Sequence, residues 1–194
     1  MSARRIALLA AASAALLAAP LARAGGGSYV FDGGTAGQQA QARAALEASA
    51  FDWSTIPATI TIHIAPGTDS WSRQGEIWLD GNLLDSGRFG WGTVQHEYAH
   101  QIDFYLLNDF ERSSLTRALG GLDWCGQVAD LQHFQHGCER FASTVAWSYW
   151  QSKDNSLKPR SRFDEAGGIA PSRFRPLLER WLVNAARPIG ALSG

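Results

Sequence analysis

The densest chemistry in the chain lies in five consecutive residues, His96-Glu97-Tyr98-Ala99-His100, an HExxH pattern. Positions four apart share one face of a helix, so on a helix both imidazoles can reach a single metal ion. Glu97, beside the first histidine, then points towards a water on that ion without being a ligand, which is where a general base has to sit. Two histidines and a glutamate on an otherwise apolar helix are costly to bury unless something satisfies them, and a zinc ion does. The plainer alternative is a helix whose histidines are hydrogen-bonded and hold no metal.

A catalytic zinc needs three protein ligands and one open position. Glu139 is the expected third ligand. It opens the apolar segment Glu139-Arg140-Phe141-Ala142-Ser143-Thr144-Val145-Ala146-Trp147, where a carboxylate without a partner is poorly solvated. The helix dipole also favours an acid in a first turn. His133 and His136, between the two cysteines, and Glu111, just after the HExxH segment, compete for the role. Asp103 lies one helical turn beyond His100, either as acceptor of that ring's free N–H or as a surface acid. The donor that stabilises an oxyanion is to be sought among Tyr149, His133 and His136, and spacing does not choose between them.

These residues need elements to hold them. Proline and glycine are absent from Thr93 to about Leu107, and Val94, Tyr98, Ile102, Tyr105 and Leu106 recur at helical spacing, which predicts one long, largely buried helix. A second apolar helix is expected from about Glu139 to Trp150, with a disulfide-bearing loop between the two. Thr35 to Ala50 has good helix propensity and few breakers. Alternation in Thr59-Ile60-Thr61-Ile62-His63-Ile64 predicts a half-buried strand with the isoleucines inward and His63 an ordinary exposed strand histidine. A second short strand is expected at Glu76–Asp80, between Gly75 and Gly81-Asn82. After a polar stretch to Ser161, a helix with one apolar stripe starts at Pro171.

HEYAHQID followed by ERFA resembles the gluzincin type of zinc metallopeptidase, in which HExxH on one helix is joined by a glutamate from a later helix. Asp103, and a glutamate followed by Phe-Ala, are similar to the anthrax lethal factor and Pro-Pro endopeptidase group within that type. The likeness covers about residues 91–150, and HExxH is its most specific part. It implies an α+β, zincin-like fold: a small mixed sheet packed on the active-site helix, with a helical C-terminal part. It implies zinc ligands His96, His100 and Glu139, and Glu97 as acid/base. Ser143 stands where many gluzincins place an aspartate, and the tyrosine that precedes the last ligand in the lethal-factor group is missing. The implied activity is peptide-bond hydrolysis: zinc makes a water acidic and polarises the carbonyl, and Glu97 takes the water's proton and returns it to the leaving amine. The Glu76–Asp80 strand would take extended substrate by edge pairing. The expected protein is thus a secreted, monomeric endopeptidase acting on a peptide or protein; the alternative is a secreted module of the same fold that binds without catalysis.

Composition and the N-terminus support export. Arg4 and Arg5, an apolar run from Ile6 to Leu21 and the small-residue site Ala22-Arg23-Ala24 have the three parts of a signal peptide over residues 1–24. Pro20 and the shortness of the run speak against a membrane anchor, and the paired arginines leave both the general and the twin-arginine export routes open. Residues 25–194 suit one domain. With 17 basic and 18 acidic side chains there is no field for nucleic acid or an anionic membrane. In an oxidising compartment Cys125 and Cys138 are expected to pair rather than bind zinc as thiolates. The eight tryptophans are expected mainly in the core.

Overall fold

A parallel strand pair needs a crossover connection, and here the connection is the Ala-Gln-Arg-rich helix near the N-terminus. The computed structural model describes residues 27–126 and 128–185; the leader predicted for residues 1–24 lies outside them. Strand β1 (Tyr29–Gly33) leads into helix α1 (Ala36–Ala48), which returns the chain to β2 (Ile60–Ala65). A hairpin of β3 (Trp71–Arg73) and β4 (Glu76–Asp80) follows, then the short helix α2 (Gly81–Asp85). Helices α3 (Trp91–Leu106), α4 (Asp109–Leu119), α5 (Gly137–Tyr149) and α6 (Pro171–Ala185) make up the rest. The protein is therefore of mixed α+β class, with one four-stranded sheet and six α-helices among the described residues. None of those helices is long and apolar enough to cross a membrane.

The sheet order is β1-β2-β4-β3, parallel except for the antiparallel β3–β4 pair. The alternation read in β2 holds, because Ile60, Ile62 and Ile64 are buried, as are Ile77 and Leu79 of β4. They join Ala42, Ala45 and Leu46 of α1 and Tyr98 and Ile102 of α3 in one core. α1 starts where its capping box puts it: Thr35 Oγ1 accepts from Gln38 N–H at 3.2 Å, and Gln38 Oε1 accepts from Thr35 N–H at 2.9 Å.

Two expectations about the sheet need correction. β4 lies between β2 and β3, with ladder partners on both sides, so it offers no edge to a substrate; the edge strand on that side is β3, too short to be read from pattern. His63 is not a plain exposed histidine. Its Nδ1 lies 2.8 Å from Asp32 and its Nε2 3.2 Å from Glu76, and its ring stacks on Trp78, which stacks on Trp71 at 3.9 Å. Strand register explains the row, since His63 pairs with Asp32 and Trp78, and Trp78 with Trp71. Three tryptophans, 53, 124 and 150, are core residues, whereas Trp71 is 45% exposed.

The loop expected after Leu107 contains α4. Its N-terminus is a capping box in which Asn108 Oδ1 accepts from Glu111 N–H and Glu111 Oε2 accepts from Asn108 N–H, both at 3.0 Å. Leu115 and Leu119, four apart, are fully buried. Cys125 and Cys138 form the expected disulfide, which ties the segment after α4 to the first turn of α5.

Candidate metal centre

α3 is buried on nearly all sides, and most of its buried polar side chains are answered by a partner. Gln95 Nε2 donates to Ala45 O at 2.7 Å, fastening α3 to α1. Gln101 brackets the β3–β4 turn, its Oε1 accepting from Gly75 N–H and its Nε2 donating to Arg73 O, both at 2.9 Å. Gly75 adopts φ +84°, a conformation that suits glycine and lets the two strands close. With the hairpin docked, Ser72 of β3 comes over α3, its Oγ 2.8 Å from both Glu97 Oε2 and the Glu97 carbonyl.

One turn apart on α3, His96 and His100 bring their Nε2 atoms within 3.2 Å of each other. α5 packs across α3 and supplies Glu139 from its first turn. Glu139 Oε2 lies 3.1 Å from His96 Nε2 and 3.3 Å from His100 Nε2. A tetrahedral zinc with bonds of about 2.0–2.1 Å holds its ligand atoms about 3.3 Å apart. The three atoms therefore form a nearly equilateral triangle of the size that one such ion spans. Glu97, 5% exposed, lies beside this triangle and outside it.

The charge balance points the same way. Burial works against protonating His96, yet Glu139, Glu97 and Glu165 outweigh it and hold its pKa above the ordinary value. Burial likewise works to raise Glu139, but His100, His133 and His96 drive its carboxyl far below the usual range. His133, bonded to Glu139 and Glu165, is pushed up to about 10. Among the described residues no lysine or arginine forms an ion pair with Glu97, Glu139 or Glu165. Three carboxylates thus converge, Glu139 and Glu165 with imidazoles as their hydrogen-bonded partners and the Arg140 guanidinium acting on Glu165 only from beyond ion-pair distance, and a divalent cation between His96, His100 and Glu139 fits that surplus of acid.

Of the residues singled out in the sequence, His96, His100 and Glu139 come together, with Glu97 and His133 alongside. His133 Nε2 is 3.0 Å from Glu139 Oε2 and its side chain is 65% exposed, at the mouth of the site. The others lie elsewhere. Glu111 is occupied in the α4 capping box. His136 Nδ1 is 2.7 Å from Asp123 Oδ1, just before α5. Asp103 does not accept from His100; its oxygens receive Arg112 Nε at 2.7 Å and Trp124 Nε1 at 3.0 Å. Tyr149 is ten residues along α5 from Glu139, about 15 Å at 1.5 Å per residue, and its hydroxyl meets Glu179 at 3.5 Å. Neither is placed for the role the spacing suggested.

Two residues that spacing did not single out complete the surroundings. His96 Nδ1 lies 3.0 Å from Ser143 Oγ, and Ser143 Oγ donates to Glu165 Oε2 at 2.7 Å. The other carboxylate oxygen of Glu165 is 2.7 Å from His133 Nδ1. Glu165 comes from a single 3-10 turn, Glu165–Gly167, folded back on α5. In the sequence Ser143 drew notice only as a departure from the pattern it was compared with, and nothing there pointed to Glu165.

Comparison with protein-family models, curated proteins and solved structures gives no match to this chain. The reading of the site accordingly rests on its own geometry.

Proposed function

We propose that this protein is an exported zinc-dependent endopeptidase of the gluzincin type, zincin-like in fold, acting as a monomer on peptide or protein substrates. The observation that carries the proposal is the triangle of His96 Nε2, His100 Nε2 and Glu139 Oε2, with sides of 3.1–3.3 Å and a buried carboxylate beside it. Held by His96, His100 and Glu139, a zinc ion would supply Lewis acidity to a water and to the substrate carbonyl. Glu97 takes the proton from that water and delivers it to the leaving nitrogen, and Ser72 keeps its carboxylate in place. His133, at the mouth of the site and open to solvent with its Nε2 beside Glu139, is the donor for the developing oxyanion. An extended substrate pairs with the free edge of β3, which passes within one residue of Glu97 through Ser72. Export agrees with the disulfide, since such bonds persist in oxidising compartments.

Zinc analysis and peptide cleavage on purified variants test the proposal. Glu97→Gln is expected to retain the metal and lose at least about 100-fold in kcat, the scale of general acid–base catalysis. Glu139→Ala is expected to lose both metal and cleavage. Parent-like cleavage by Glu97→Gln would refute the mechanism, and zinc bound without any cleavage by the parent would leave a binding module.

A further inference from the structure

Ser143 and Glu165 form a chain of hydrogen bonds whose direction is fixed by proton counting. The serine hydroxyl has one proton, and it goes to the Glu165 carboxylate, 2.7 Å away. Its oxygen must then accept from His96, which places a proton on Nδ1. With Nδ1 protonated, the lone pair of a neutral His96 is on Nε2, the atom that faces His100 and Glu139. Glu165 thus selects the tautomer of a ligand it does not touch.

The second oxygen of the same carboxylate holds His133 Nδ1, and so turns His133 Nε2 towards Glu139. The turn that carries Glu165 is held tightly. Arg140, 4% exposed and next to Glu139, donates to the carbonyls of Arg162 and Phe163, just before Glu165, and to that of Phe134, just after His133. A Cβ on Gly167 would run into the Ser161 carbonyl, so the turn packs at a distance that only glycine permits. Ser143 is fully buried, and both carboxylate oxygens of Glu165 are engaged, one by Ser143 and one by His133.

We propose that Glu165 is a positioning residue of the metal centre: through Ser143 it presets His96 to offer its Nε2 lone pair, and through its other oxygen it orients His133 beside Glu139. This role rests on the zinc reading given above, so its test includes a measurement on the metal-free protein.

Zinc affinity, measured by competition with a chromophoric chelator, is expected to fall about 10- to 100-fold in Glu165→Ala, the usual scale for residues that orient a metal-bound histidine. Ser143→Ala is expected to lose a similar factor, and the double variant no more than the larger single loss, because both act through one chain of bonds. Glu165→Gln should regain most of the affinity, since its amide oxygen can still accept from Ser143, but its NH2 group can no longer accept from His133. In the metal-free protein, histidine side-chain NMR should show a protected Nδ1–H on His96 that is lost in Ser143→Ala and in Glu165→Ala. Parent-like zinc affinity in both alanine variants, or losses that multiply, would overturn the proposal. If the parent binds no zinc, the zinc reading fails on its own, and the His96 Nδ1–H signal decides this one: persistence of that signal in Glu165→Ala sinks it.

Discussion

A general base works only if its carboxylate is aimed, and in the proposed hydrolase the aim of Glu97 depends on one hydroxyl. Ser72 Oγ is 2.8 Å from Glu97 Oε2, and the carboxylate has no other hydrogen-bond partner among the described residues. Removing the hydroxyl leaves the base in the pocket but free to rotate, and small misplacements near a reacting centre are expensive. Ser72→Ala is therefore expected to lower kcat about 10- to 100-fold with zinc content unchanged. Ser72→Thr, which retains the hydroxyl, should recover much of it. Steady-state kinetics beside metal analysis separates this outcome from loss of the ion. A kcat equal to that of the parent in Ser72→Ala would show that Glu97 is aimed by something else.

Among the elements, α3 decides the layout, because it carries both histidines and also grips its neighbours. Gln101 is buried and satisfies one N–H and one C=O of the β3–β4 turn. Gln101→Leu leaves both without a partner at about 1–3 kcal/mol, or roughly 2–12 °C in Tm for a domain of this size. Because the same hairpin carries Ser72, activity should fall further than stability alone explains, which thermal unfolding and cleavage rates on one preparation would show. The histidine pair was legible in sequence because helical spacing places it without reference to the rest of the chain, whereas Glu139 was favoured over His133, His136 and Glu111 only by the apolar segment it opens and by the resemblance. β2, β4, α1, α3 and α5 were legible too, each having a strong period or few breakers. β1 and β3 were not, being short and stabilised mainly by ladder partners distant in sequence. α4 was hidden because its stripe rests on two leucines, although its Asn108–Glu111 box was a readable start signal. Asp103 illustrates the limit: its neighbours on the helix suggested His100, but α4 and Trp124 took both of its oxygens. Glu165 could not be found by spacing at all, since its contact with Ser143 depends on how the chain returns over α5.

At the scale of the whole molecule, two ties meet at adjacent residues. The disulfide closes at Cys138, in the first turn of α5, across a sequence separation of 13, and the proposed zinc site joins α3 to α5 at Glu139. A bond closing so short a loop contributes around 3 kcal/mol. A ligand at 1,000 times its Kd contributes about 4.1 kcal/mol, which in a domain of this size raises Tm by roughly 8–16 °C. Chelation should remove that shift and zinc restore it, in the Glu97→Gln variant as in the parent, but not in Glu139→Ala. The two ties should also be coupled, because sites in contact are rarely additive. The disulfide fixes the backbone from which Glu139 reaches the histidines, so part of the cost of ordering that ligand is met before the ion arrives. Zinc should therefore stabilise the oxidised protein by about 0.5–3 kcal/mol more than the reduced one. Four thermal unfolding measurements, with and without zinc and with and without a reductant that does not bind metal, close that cycle. A zinc shift of equal size in both redox forms would mean that the carboxylate is placed by the packing of α5 on α3 alone.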